Sequence, residues 1–369
     1  PRELVTCIYA TFGLQSLVSI TTLGEIMRTL ILIFSLLIFQ PSLAVEPTKE
    51  AEFLGSQVVD ELPNWFKASF MDFSEDLEEA DDEGKHIMIY FHQDGCPYCA
   101  KLVQENFHDD ALVAKLQKDF DTIETNMWGD RELTDWQGND YIEKEFAAKM
   151  KIQFTPTLVF LNEKGESVLR VNGYQSINKM QATLDYVSNK TYLNKSYANY
   201  LNGLKKDSSG PLNANTIFES GPHLLTRSKT LPANKYLAVF FEEPNCIECD
   251  FFHKNLLSLD QTQSYLKQMQ VVRFNALSDD KLITPSGERT TAKEWYDKLK
   301  LTYKPAIVFF DKEGVEVIRK DAYFKEYHLD GIMTYTLSGE YKHQPNFQRY
   351  LEDKSDKLRA KGITVDIWK

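Results

Sequence analysis

Beyond residue 44 the chain has no cysteine outside two Cys-x-x-Cys motifs, Cys96-Pro97-Tyr98-Cys99 and Cys246-Ile247-Glu248-Cys249; the fifth cysteine, Cys7, lies far upstream. With no spare thiols to staple loops, a disulfide scaffold is excluded, and the cysteines that remain are placed for exchange. Neither motif continues into histidine, which excludes a c-type haem attachment signature. A basic surplus is missing too: Lys+Arg is 42 against Asp+Glu 54, a net charge of -12. That balance argues against nucleic acid as partner and suits a soluble acidic surface. The apolar run Leu30 to Phe39 is too short to span a bilayer comfortably.

What is present is a repeat. Cys246 follows Cys96 by 150 residues, while Asn126 and Asn275, Asp130 and Asp279, Gly138 and Gly287, Pro156 and Pro305, and Gly165 and Gly314 are each 149 apart. The offset slips by one residue between the cysteines and Asn126 and then holds. The period is far longer than that of a solenoid, so it reads as two copies of a whole domain. A length of 369 residues with 43% hydrophobic content fills two ordinary cores.

Met27-Arg28, the apolar run, and Ser42-Leu43-Ala44 follow the order of a secretory signal peptide with cleavage after Ala44. A retained membrane anchor is the alternative. Residues 1–26 read as an upstream non-structural stretch, 27–44 as the signal peptide, and the mature chain is expected to be periplasmic or otherwise exported, with no stable membrane insertion after cleavage.

In the first copy His86–Gln93 reads as a strand ending at Asp94-Gly95; Pro97 suits the first turn of a helix that continues through Ala100–Phe107. Phe120–Met127 reads as a strand, Asp140–Met150 as a helix, Thr157–Asn162 and Val168–Val171 as a hairpin, and Asn178–Asn189 as a closing helix. The acidic stretch Ser74–Glu83 reads as a solvated helix. The second copy repeats the order: strand Leu237–Glu242, helix Cys249–Leu257, strand Val271–Phe274, helix Thr291–Lys300, and a hairpin of Ala306–Asp311 with Val315–Arg319. Domain bounds follow as 62–192 and 217–344, joined by a linker at 205–216 that includes Ser208-Ser209-Gly210-Pro211, with a helical tail at 345–369 that carries no chemical signal.

A CxxC at a strand-to-helix turn, with a strand-initiating proline some 60 residues on, resembles the thioredoxin superfamily. The first copy, with Gly95-Cys96-Pro97-Tyr98-Cys99, looks most like exported proteins of the SoxW and DsbC/DsbG type. The resemblance covers roughly Pro63–Thr191 and, more weakly, Ile217–Tyr341. It implies an α/β fold of two tandem thioredoxin-like domains, each a central mixed sheet flanked by helices. It further implies that Cys96 is an exposed nucleophile, that Cys99 resolves, and that Pro156 is cis and faces the pair, with Pro305 cis in the second copy. A thiolate at a helix start is stabilised by free N–H groups, which lowers its pKa from about 8.5. Thioredoxin itself has a tryptophan before the motif and a buried aspartate six residues before the first cysteine; here those positions hold Gly95 and Tyr90.

The expected activity is thiol:disulfide exchange with partner proteins through Cys96 and Cys99, in either direction, with no dissociable cofactor and, by resemblance, a membrane thiol transporter as electron donor. The alternative is a client-binding module with static disulfides. Cys96, Cys99, Cys246 and Cys249 could also bind zinc as two knuckles, a reading disfavoured by the proline downstream of each pair. His92 and His253 read as surface histidines, though His92 could stabilise the Cys96 thiolate as a cation. Asn189-Lys190-Thr191 and Asn194-Lys195-Ser196 match the glycosylation pattern, which is frequent by chance. Trp128, Trp136, Tyr98 and Phe107 could form an apolar substrate surface, with Trp136 and Phe107 equally readable as core. In the second motif, Glu242, Glu243, Glu248 and Asp250 are expected to make Cys246 a weaker thiolate than Cys96, so that Cys246 and Cys249 act as an internal relay or a degenerate auxiliary site.

Overall fold

The structure is a computed structural model and describes residues 51–57, 59, 61–204 and 210–369. The expected upstream stretch, the signal peptide and the first part of the linker, 205–209, lie outside the described residues.

Each copy is built on a four-stranded mixed sheet. After the short strand β1 (Phe53–Leu54) and helix α1 (Phe73–Asp82), the first sheet begins with β2 (His86–His92). Helix α2 (Pro97–Lys101) runs on as a π-turn to Asn106, and α3 (Asp110–Asp119) leads into β3 (Phe120–Asn126). A hairpin of β4 (Glu132–Thr134) and β5 (Asp140–Ile142) precedes α4 (Glu143–Lys149), and β6 (Thr157–Leu161) and β7 (Ser167–Asn172) complete the sheet in the order β3-β2-β6-β7. β2 is parallel to β3 and antiparallel to β6. Both faces of β2 are covered, and its residues alternate between them. Met88 and Tyr90 point into one apolar cluster, and Ile87, Ile89 and Phe91 into the other.

Helices α5 (Ile177–Ser188) and α6 (Tyr197–Gly203) lead to the second copy. There β8 (Tyr236–Glu242), α7 (Ile247–Phe252, extended as a π-turn to Leu257), α8 (Asp260–Leu266) and β9 (Met269–Asn275) repeat the plan. Next come β10 (Lys281–Ile283), β11 (Arg289–Thr291), α9 (Ala292–Lys298), β12 (Ala306–Phe310) and β13 (Glu316–Lys320), with sheet order β9-β8-β12-β13. The one-residue slip in the repeat falls at the end of α3 and α8: Leu116 and Leu266 are both buried at offset 150, whereas β3 and β9 start at offset 149. Helices α10 (Glu326–Ser338) and α11 (Phe347–Arg359) and strand β14 (Val365–Asp366) close the chain, and β14 pairs in parallel with β1.

Three expectations change. Helix α1 is amphipathic rather than solvated: Phe73, Leu77 and Ala80 enter the core, and the Asp72 carboxylate caps its first turn by accepting from the Ser74 and Glu75 amides. The segment read as one helix, Asp140–Met150, starts as β5. The Asp135 carboxylate accepts from the Gln137 and Asn139 amides, and Gly138 at φ +78 closes a turn that returns the chain against β4. The tail is no passive appendage, because it reaches the first CxxC motif.

The two domains pack against each other through residues near their motifs and prolines. A Cβ on Gly173 would lie 2.6 Å from Cβ of Ala322, its counterpart 149 residues on. His328 of the second domain lies edge-on to Tyr98 at 5.3 Å, while its counterpart Lys179 sits 4.4 Å over Tyr303, two residues before Pro305. Phe154, two residues before Pro156, belongs to the second domain's apolar cluster, 4.9 Å from Phe324 and 5.5 Å from Phe347. Each domain thus turns its motif-and-proline face toward the other.

Candidate active site

The first motif sits at the carboxyl end of β2. Gly95 takes φ +72, which lets the chain turn sharply into α2, and Cys96 occupies the N-cap with Pro97 at the first helical position. Cys96 and Cys99 have Cα atoms 5.2 Å apart and their sulfurs at disulfide distance; the Cys99 amide donates to Cys96 Sγ at 3.1 Å. Opposite lies the Thr155-Pro156 bond, which is cis. Thr155 Oγ1 donates to Cys96 Sγ at 3.4 Å, and the Thr155 carbonyl oxygen is 3.5 Å from the same sulfur.

Cys96 is not the exposed residue that the resemblance implied: it is 4% exposed, and Cys99 1%. The cover comes from three distant parts of the chain. The Gln57 amide donates to the Gly95 carbonyl, Tyr98 packs 4.9 Å from Trp368, and the Lys325 amide donates to the Tyr98 hydroxyl at 3.2 Å. Lys325 Nζ in turn lies 4.2 Å over the Trp368 ring and donates to the Trp368 carbonyl. Beside Cys96 remains a cavity of about 590 Å³, lined among others by Thr155, Trp128, His328, Arg349 and Tyr323. Burial pushes His328 down to about 4, so it faces the cavity neutral.

Of the four aromatic candidates, Trp128 and Tyr98 line this cavity. Trp128 Nε1 donates to Gln93, and Arg349 stacks on the ring at 4.6 Å. Phe107 is core, and Trp136 packs on Phe146 at 6.0 Å away from the motif. His92 pairs with Glu124 at 2.8 Å and stacks on Tyr90, so its ring is engaged by β2 and β3.

If Trp368 holds the cover closed, Trp368→Ala should make reduced Cys96 more reactive. Losing one aromatic contact and one cation–π contact lowers the cost of opening by about 1–2 kcal/mol, a gain of roughly 5- to 30-fold in alkylation rate. Stopped-flow alkylation of the reduced chain checks this, and an unchanged rate would leave the tail without a gating role.

The second motif repeats the backbone geometry. Cys246 is the N-cap of α7, the Cys249 amide donates to Cys246 Sγ at 3.0 Å, the Cα atoms are 5.1 Å apart, and Lys304-Pro305 is cis. Its surroundings differ from the expectation of unopposed carboxylates. Glu242 is buried and bound by His253 at 2.7 Å and Arg273 at 3.2 Å, which also makes His253 an interior partner rather than a surface histidine. Glu243 pairs with Lys304 at 2.8 Å, and Asp250 accepts from Asn213. Glu248 and Asp250 are the exposed carboxylates of the motif. Meanwhile two lysines stand close: Lys304 in the position of Thr155, and Lys320 in the position of Val171. Burial pushes Lys304 down to about 8 and Lys320 to about 7. Of the four carboxylates counted against the Cys246 thiolate, Glu242 and Glu243 thus have basic partners in the fold. A lysine at the end of β13 reads as solvent-facing in sequence; its alignment with buried Val171 was the signal for the inward position.

A family profile for the thioredoxin-like domain matches residues 73–188 and again 227–337, together more than half of the chain. The chain belongs to the thioredoxin-like family. Among solved structures, this thioredoxin-like chain is similar to a thioredoxin-fold protein from Helicobacter pylori, with 20% identity, a TM-score of 0.29, and coverage of 35% of this chain and 89% of that one. Similar too is DsbH oxidoreductase, at 18% identity and TM-score 0.25, covering 38% of this chain and 94% of that one. The first two thioredoxin domains of Saccharomyces cerevisiae Eps1p match across both copies, at 12% identity and TM-score 0.25, covering 68% of this chain and 89% of that one. No curated protein matches. Among the described residues, no helix is long and apolar enough to cross a membrane, and no group of three or more His, Cys, Asp or Glu converges as metal ligands would.

Proposed function

We propose that the chain is an exported thiol:disulfide oxidoreductase that exchanges disulfides with partner proteins through Cys96 and Cys99, with Cys246 and Cys249 as a relay. The observation that carries this reading is the Thr155 contact: the residue before a cis proline lies against Cys96 Sγ, beside a cavity that a client segment could enter. Cys96 attacks the client disulfide, the Cys99 sulfur then displaces the reduced client, and run in reverse the pair donates its disulfide. The motif's likeness to exported SoxW-type and DsbC/DsbG-type proteins favours a periplasmic or otherwise exported setting and a membrane thiol transporter as donor. Pro156 and Pro305 would hold the strand edges on which clients of the two sites dock.

Burial of both motifs favours a second reading, a client-binding module in which the disulfides are static. Thiol trapping before and after mild reductant separates the two. Exchange-active pairs are expected to become alkylatable at modest potential, with a measurable reduction potential for each pair; disulfides that resist until the chain unfolds would favour the binding module.

A further inference from the structure

Lys320 takes no part in the exchange described above, yet it is 2% exposed and stands where the first domain places Val171, in one apolar cluster with Cys96 and Cys99. Its Nζ donates to the Pro305 carbonyl at 2.7 Å and lies 5.0 Å from the ring centre of Phe252 and 4.7 Å from that of Tyr303. Phe252 belongs to α7, three residues after Cys249, and Pro305 is the cis proline of the same domain. An amine is thus wedged between the motif helix and the proline loop, where its hydrogen-bond acceptor is a neutral carbonyl. The charges that act on it are Asp321 at its own strand end, Glu242 of β8, Glu248 inside the motif, and Lys179 from α5 of the first domain. Asp321 is already engaged by the Thr302 and Tyr303 amides. Burial outweighs these charges and pushes the amine down to about 7.

We propose that Lys320 is a positioning residue for the second redox pair, neutral while Cys246 and Cys249 are joined and protonated once they are reduced. The inference rests on the exchange reading of that motif. A partner dithiol gives two electrons to the Cys246–Cys249 bond; that S–S bond breaks, the partner's forms, and the partner releases two protons. One proton ends on the Cys249 sulfur and the other on Lys320 Nζ, leaving a Cys246 thiolate at the start of the motif helix and an ammonium between that helix and the proline loop. In an apolar interior either charge alone is costly, so the two arise together.

The test uses the full chain carrying Cys96→Ser and Cys99→Ser, so that only the second pair reacts. Alkylation of reduced Cys246 by iodoacetamide is followed against pH with Lys320 present and with Lys320→Met. The substitution is expected to move the profile to higher pH and slow alkylation near neutrality about tenfold. Independently of any variant of Lys320, NMR of the lysine side chain should show Lys320 titrating at higher pH in the reduced than in the oxidised chain. Identical titration in both states overturns the proposal even if Lys320→Met fails to fold. If the pair reduces and alkylates with an unaltered pH profile in Lys320→Met, Lys320 has no such role while exchange stands. A second pair that dithiothreitol cannot reduce in the folded chain overturns the exchange reading of that motif and this proposal with it.

Discussion

Cys99→Ser is expected to leave the chain covalently joined to its clients through Cys96, while Cys96→Ser abolishes exchange at the first pair. The asymmetry follows from position. Cys96 lines the cavity and lies against Thr155, whereas Cys99 lies within α2 and is reached by a client only after Cys96 has formed the mixed disulfide. Removing the attacking sulfur takes away the covalent route, and a loss of at least ~100-fold in client reduction is expected. Removing the resolving sulfur stops the reaction one step later, so the mixed disulfide accumulates instead of turning over. Non-reducing electrophoresis followed by mass spectrometry of the captured species reads the result. Clients trapped by Cys96→Ser and not by Cys99→Ser would reverse the two roles. Because Trp368 and the second domain cover Cys96, trapping should also become faster in Trp368→Ala. A linear dependence of trapping on that opening would tie client entry to the seam between the domains.

The sequence made local chemistry legible. An apolar run, an Asp-Gly or Asn-bearing turn, two cysteines three apart and a later proline depend on neighbours within a few residues, and the repeat supplied an internal control on each placement. The hairpin formed by β4 and β5 escaped notice because its strands are three residues long, so periodicity had nothing to act on, and Tyr141-Ile142 suits a helix start as readily as a strand. Contacts between the two domains lie beyond local sequence for a different reason. Tyr98 meets His328 and Trp368 only after two domains and the tail have docked, and nothing near Tyr98 in sequence encodes that. A sum of charges near the second motif carries no information on pairing. Glu242 and Glu243 count as two negative charges in the sequence, yet His253, Arg273 and Lys304 meet them in the fold. Lys320, buried between the motif helix and the proline loop, sits about 70 residues away from the motif and one residue past the strand that sequence pattern delimits.

Lys320→Met is expected to stabilise the oxidised chain and to flatten the dependence of its stability on pH. An unfolded lysine titrates at 10.5, and burial lowers Lys320 to about 7 in the folded chain. Between those values the unfolded chain binds the extra proton, so stability rises with pH across that window and falls as pH drops from above 10.5 toward 7. Near pH 7 the neutralisation of this amine therefore costs on the order of 4 kcal/mol, which methionine, similar in length and free of charge, does not incur. Lys304 shifts in the same direction, to about 8, so part of the slope survives the substitution. Urea unfolding of the oxidised chain at neutral and alkaline pH measures both effects. A variant no more stable than the parent, with the same slope, would mean that Lys320 is held charged and well solvated in the fold, and that the apolar wedge between Phe252 and Tyr303 accommodates an ammonium at rest. The expected result instead places the cost in the oxidised state, and the same unfolding series on the reduced chain, where the proposal has the amine protonated, is expected to show a smaller one. That difference distinguishes an amine serving exchange from one that merely fills the space of Val171.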